Sequence, residues 1–114
     1  MILEVIIDYL NSSDLDAPAY AEIPKRDCPE EFYIIELTGE SVTDQLETAT
    51  IVARSYGKNM KRAADLAYDL DNILRNGLVK LDYISGVKRN TVTNYTDQST
   101  KQYRYQGVYI ITHY

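Results

Sequence analysis

Residues 58–75 constrain the fold of this chain more than any other stretch. Met60, Ala63, Ala67, Leu70 and Leu74 recur at alternating steps of three and four, and Leu66 and Ile73 widen their stripe. Lys61, Arg62, Asp65, Asp69 and Asn72 fall on the opposite side. Alanines at 63, 64 and 67 favour helix and let a neighbouring surface approach closely. Asn59 or Gly57 can cap the start, and Asn76-Gly77 tolerates the left-handed conformation that commonly ends helices. Alternating polar and apolar segments flank this helix on both sides. A single amphipathic helix lying across a sheet is the expectation.

The flanking segments supply the sheet. A short N-terminal helix is predicted over residues 2–10, with Leu3, Ile6, Ile7 and Leu10 on one face. Residues 19–23 read as a short extended segment bounded by Pro18 and Pro24. Residues 31–38 are dense in β-formers and apolar on both faces up to Glu36, as in a central strand. Gly39-Glu40-Ser41 is expected to turn the chain into a long strand over 42–56. There Leu46, Thr48, Thr50, Val52, Arg54 and Tyr56 share one face, and Glu47, Ala49, Ile51, Ala53 and Ser55 share the other. The small residues of the second face leave room for a helix. After Gly77, residues 78–84 are expected to be extended, with a bulge or kink at Ser85-Gly86 and a more polar strand over 87–95. Residues 95–101 read as an exposed hairpin tip, and the last strand runs from 102 to 114. Tyr103, Tyr105, Tyr109, Ile111 and His113 fall on one of its sides; Arg104, Val108, Ile110, Thr112 and Tyr114 fall on the other. The order helix, strand, strand, strand, helix, strand, strand predicts an α+β fold. Its mostly antiparallel sheet carries the main helix (58–75) and the short N-terminal helix on one face.

At 114 residues, positions 1–114 form one domain. The net charge of −5 argues against a nucleic-acid-binding domain, which needs a basic surface. The charge is unevenly spread. Residues 1–57 hold 12 acids and 3 bases, a net of −9, whereas residues 58–114 hold 5 acids and 9 bases, a net of +4. Such halves can attract copies of the chain head to tail, unless they interleave in the fold and average out. Cys28 is the one cysteine, so no disulfide within the chain is expected, and a reducing cytoplasm suits it. No apolar run approaches the length of a membrane span, and the start of the chain lacks the pattern of a signal peptide. Eleven tyrosines, with no Trp and one Phe, supply broad contact surfaces with polar tips.

Catalysis finds little support. His113, the sole histidine, is expected at the surface without a nucleophile near it in sequence. Cys28 lies between Asp27 and Pro29, surroundings of an inert thiol. Asp65, Asp69 and Asp71 lack a histidine at the spacing of a zinc or di-iron motif, and a solvated helix face accounts for them. Asp14-Leu15-Asp16 fails the calcium-loop pattern, and the five glycines form no phosphate-cradling cluster. No catalytic residue, metal site or cofactor is therefore expected. What stands out is a basic, Tyr-rich final hairpin, in which Lys88 and Arg89 are expected to face Lys101 and Arg104. Lys88, Arg89, Tyr95, Lys101, Tyr103, Arg104 and Tyr105 are the candidate interface residues, suited to nucleic acid or, no less, to an acidic neighbouring subunit.

The whole-chain pattern resembles the tail terminator, or tail completion, proteins of long-tailed bacteriophages. The matching stretches are Ala19-Tyr20-Ala21-Glu22-Ile23-Pro24 after the short helix, and Pro29-Glu30-Glu31-Phe32-Tyr33-Ile34-Ile35-Glu36-Leu37-Thr38-Gly39. They continue with Val52-Ala53-Arg54-Ser55-Tyr56-Gly57, a helix in which Ala63-Ala64 precedes Leu66-Ala67 and Leu70, and Arg104-Tyr105-Gln106-Gly107-Val108-Tyr109. The resemblance implies a small α+β subunit of a hexameric ring in the virion, at the head-proximal end of the tail. Such a ring binds the tail tube protein on one face and the head connector or stopper on the other. It halts tube polymerisation and lets genomic DNA through its channel without sequence-specific binding. No catalytic residue carries over from the family. The alternatives are another neck component, a head–tail adaptor or stopper, or a small cytoplasmic α+β regulatory or ligand-binding domain.

Overall fold

The computed structural model describes residues 1–97 and 99–114, with Thr43 described through its backbone. Helix α1 (Ile2–Asn11) precedes strands β1 (Ala19–Tyr20), β2 (Phe32–Thr43) and β3 (Leu46–Gly57). Helix α2 (Met60–Asn72) runs on through a π-turn (Ile73–Gly77) into a 3₁₀ turn (Leu78–Lys80), and strands β4 (Ile84–Asn94) and β5 (Tyr103–His113) follow. The five strands form one sheet in the order β1-β2-β3-β5-β4. Only the β1–β2 pair is parallel; the other three pairs are antiparallel. The fold is α+β, with the expected element order.

The helices cover one face of the sheet, for the reason given by the alternation in residues 46–56. Ala49, Ile51 and Ala53 of β3 lie in register with Ile111, Tyr109 and Gly107 of β5, and together they floor the core. Onto them pack Ile2, Ile6 and Leu10 of α1, Leu66 and Leu70 of α2, and Leu74 and Leu78 beyond it. Gly57 lets the first turn of α2 come close: a Cβ there would lie 2.3 Å from the Ala63 backbone nitrogen. Asn59 caps α2, its side-chain oxygen accepting the Arg62 N–H at 2.9 Å. Tyr33, fully buried on β2, donates its hydroxyl to the Leu66 carbonyl at 2.9 Å and fastens sheet to helix.

Four expected boundaries move. The chain does not turn at Gly39-Glu40-Ser41; β2 continues to Thr43, with a register shift between Leu37 and Gly39. The turn is Asp44–Gln45, both at positive φ (51° and 70°), the two-residue geometry that follows the twist of a hairpin. The main helix does not stop at Asn76-Gly77, since Gly77 keeps right-handed backbone (φ −100°) and its missing side chain makes room for the Tyr9 hydroxyl. The chain therefore coils past it and buries Leu78 four residues beyond Leu74, where an extended segment was expected. The first strand shrinks from 19–23 to two residues, because the Asn11 side chain holds both backbone groups of Ala19 (2.8 and 3.0 Å) and Tyr20 is the last residue that β2 pairs. The expected irregularity at Ser85-Gly86 is present as a shift between Ile84 and Gly86. Gln98, within the expected hairpin tip, lies outside the described residues.

Among the described residues no helix packs over the second face of the sheet. Phe32 and Tyr56 stack there with ring centroids 4.4 Å apart, beside Ile34 and Tyr20. Val52, Val108 and Ile110 continue this face half-buried, and Arg54 lies across it, bonded to Glu36 at 2.9 Å and Gln106 at 3.2 Å. No helix of the described residues is long and apolar enough to cross a membrane.

Candidate assembly surface

The seven candidate interface residues belong to the β4–β5 hairpin, and the structure divides them into two groups. Lys88 stands opposite Ile110 and Arg89 opposite Tyr109, in the middle of the strands. Tyr95, Lys101, Tyr103, Arg104 and Tyr105 gather at the hairpin end, where the Tyr95 N–H bonds the Arg104 carbonyl at 2.9 Å. The expectation that Lys88 and Arg89 face Lys101 and Arg104 fails. Some six residues separate the groups, about 20 Å at the rise of a strand, because the hairpin closes through Asp97 and Gln102.

Within the end group, Arg104 is not a free cation. Its guanidinium lies 4.7 Å from the Tyr95 ring centroid, donates to the Tyr95 carbonyl at 2.9 Å and to Gln102 Oε1 at 2.7 Å. It stiffens the hairpin from inside. Tyr103 and Tyr105 are half-buried, in register with Gly57 and Ser55 of β3, while Tyr95 and Lys101 are exposed. Lys101 and Tyr103 share a shallow pocket of about 210 Å³ with Phe32, Tyr56 and Lys58.

The mid-strand pair is split between the two faces. Lys88 is exposed on the uncovered face and makes no ion pair among the described residues. Arg89 lies on the helix side, with Nη1 at 3.4 Å from Oδ2 of Asp71. Asp71 overturns the solvated reading of the helix acids: it is 4% exposed, accepts the Tyr109 hydroxyl at 2.8 Å, and pairs with Arg75 at 2.8 Å. Burial and the Asp71 carboxylate both hold the Tyr109 hydroxyl protonated well above its ordinary range. This cluster ties α2, β5 and β4 together, and sequence reasoning missed it. The Asp71–Arg75 spacing of four was a readable signal, but nothing local indicated that Tyr109 and Arg89 would arrive beside it.

His113 also departs from expectation. It is buried rather than at the surface, in register with Glu47 and Ile84. Its Nδ1 lies 3.2 Å from the Tyr114 carbonyl oxygen and 3.6 Å from Glu47, and its Nε2 has no hydrogen-bond partner among the described residues. Arg62, expected on the outer helix face, instead grips Glu31 through two nitrogens (2.9 and 3.0 Å), and that bond holds the Glu31 carboxyl below its usual range. Cys28 is exposed. Among the described residues no cluster of three or more His, Cys, Asp or Glu is placed to hold a metal ion.

No protein-family model matches the chain, and no curated protein matches it. The surface must therefore be interpreted from its own geometry. That geometry is an outer strand with one charged side chain on each face, ending in a braced, tyrosine-rich hairpin. It suits contact with another folded surface.

Proposed function

We propose that the chain is a structural subunit of a phage tail, a tail terminator that assembles into a ring, six-membered by the resemblance above. The ring caps the head-proximal end of the tail tube, stops its polymerisation and presents its other side to the head connector or stopper. Its place is the virion, reached by assembly in the host cytoplasm, and DNA passes through its channel without sequence-specific contact. The observation that carries this reading is the one-sided sheet. With helices on a single face among the described residues, the fold leaves Val52, Val108 and Ile110 half-buried on the other face and the outer strand β4 paired on one side alone, and neighbouring subunits supply the missing cover.

A ligand-binding domain is less well supported. The three shallow pockets described each hold about 210 Å³, below the ~300–1,000 Å³ of small-molecule sites. Purified protein added to elongating tail tubes tests the proposal. Tubes should stop lengthening and carry one added ring at a single end. Unchanged elongation with the protein bound at the head side would favour an adaptor or stopper, and a persistent monomer that joins no tail would overturn the ring altogether.

A further inference from the structure

We propose that copies of this chain join edge to edge, with β4 of one copy lying antiparallel beside residues 36–43 of β2 in the next. The sheet then continues from subunit to subunit. This inference rests on the ring reading and names the surface that closes the ring.

The sheet has two open edges, and they differ. β1 covers β2 only at Tyr33 and Ile34, so from Glu36 to Thr43 no described strand pairs with the outer side of β2. At the opposite edge β4 pairs with β5 alone. Both edges present backbone N–H and C=O groups that another strand can complete, on either side of an irregularity at Leu37/Gly39 in β2 and at Arg89/Thr91 in β4. Three antiparallel steps separate β2 from β4, so the two strands run in opposite directions. A second copy displaced sideways, without being turned over, therefore brings its β4 antiparallel to β2. The contact uses two different patches, as a closed ring requires.

Charge selects this pairing over the alternatives. On the uncovered face the β2 edge carries Glu36, opposite Val52, and the β4 edge carries Lys88, opposite Ile110. On the helix face the β2 edge carries Glu40, opposite Ala49, and the β4 edge carries Arg89, opposite Tyr109. An acid on one edge thus answers a base on the other, on both faces of the sheet. Pairing β4 with β4 would bring Lys88 and Arg89 against their own copies, and pairing β2 with β2 would oppose Glu36 and Glu40. Like charges brought together at a contact penalise those two-fold arrangements, and the head-to-tail one remains. Glu40, like Lys88, has no ion-pair partner among the described residues, so both keep their charge for a neighbour.

The test mixes the ordinary chain with its ¹⁵N-labelled copy and applies a carbodiimide, which joins amine to carboxylate only at contact distance. Mixed-isotope peptides should link Lys88 to Glu36. Lys88→Glu should weaken assembly at least about tenfold with an unchanged melting temperature, and adding Glu36→Lys to it should restore the ring. Rings that form with their mixed-isotope links elsewhere, or that tolerate Lys88→Glu, would overturn the edge pairing and leave the ring reading standing. A chain that remains monomeric at every concentration would overturn both.

Discussion

Asp71 shows how a charged residue earns a buried place on an otherwise ordinary amphipathic helix. Its two oxygens meet one phenol and two guanidinium groups, so neither oxygen is buried without a donor. Asp71→Ala would strand the buried Tyr109 hydroxyl while the two arginines return to water. We expect a loss of about 2–3 kcal/mol in urea unfolding, against about 1 kcal/mol for Tyr109→Phe, which leaves both arginines on the carboxylate. A second prediction concerns alkali. Burial, the largest cause for both, raises the pKa of Tyr33 and Tyr109 far above the ~10 of an unfolded tyrosine. Above that value the unfolded chain releases protons that the folded chain keeps, so unfolding is favoured as pH rises. Their contribution is fully present below about pH 10, and each tyrosine then removes about 1.4 kcal/mol of stability per pH unit. Ultraviolet titration should show Tyr33 and Tyr109 ionising only with loss of the fold. In the Tyr33→Phe variant the alkaline slope should be smaller by one tyrosine's share.

At the scale of elements, the two glycines around α2 serve different contacts, and substitution should separate them. A Cβ at Gly57 would lie 2.3 Å from a backbone nitrogen in the first turn of the helix, which cannot move aside without shifting α2 against β3. At Gly77 the nearest atom, 2.6 Å away, is the hydroxyl at the end of the Tyr9 side chain, which can swing. Gly57→Ala should cost about 2 kcal/mol or more, whereas Gly77→Ala should change stability by less than about 1 kcal/mol, because better helix propensity offsets the displaced tyrosine. Thermal melts of the two variants check the ordering. These contacts also explain how far the fold was legible. Period-two alternation over residues 46–56, with small residues at Ala49, Ala53 and Ser55, identifies the helix-bearing face because packing against a helix demands that pattern. The turn at Asp44–Gln45 was hidden because neither residue is a glycine, while Gly39 and Gly77, natural stop signals, serve a strand irregularity and a close approach. The final hairpin was legible as a unit. Its internal arrangement was not, since the register that separates Lys88 from Arg104 depends on where the loop closes.

For the whole molecule, 45 Å long and about 25 Å across, the question is how charge is divided between pairs inside the fold and the two open edges of the sheet. The acidic first half and basic second half do not simply interleave. Arg62 of the second half answers Glu31 and, at 3.9 Å, Asp16 of the first, but Lys88 and Glu40 remain unmatched at opposite edges. Arg89 stands between these roles, 39% exposed and 3.4 Å from a buried carboxylate. Reversing the two neighbouring bases should therefore give different results. Lys88→Glu should leave the melting temperature unchanged and prevent assembly. Arg89→Glu should prevent assembly too, but a new carboxylate beside Asp71 should also destabilise the fold. Solvent screens a pair this exposed, which limits the cost to about 1 kcal/mol, or roughly 5 °C in a chain of this size. Calorimetry and sedimentation on the two variants decide the matter. If both melt normally, Asp71 does not draw on Arg89 for stability. If both still assemble, the basic strand is a solvated edge, and the joining surface must be sought on the second face of the sheet around the half-buried Val52, Val108 and Ile110.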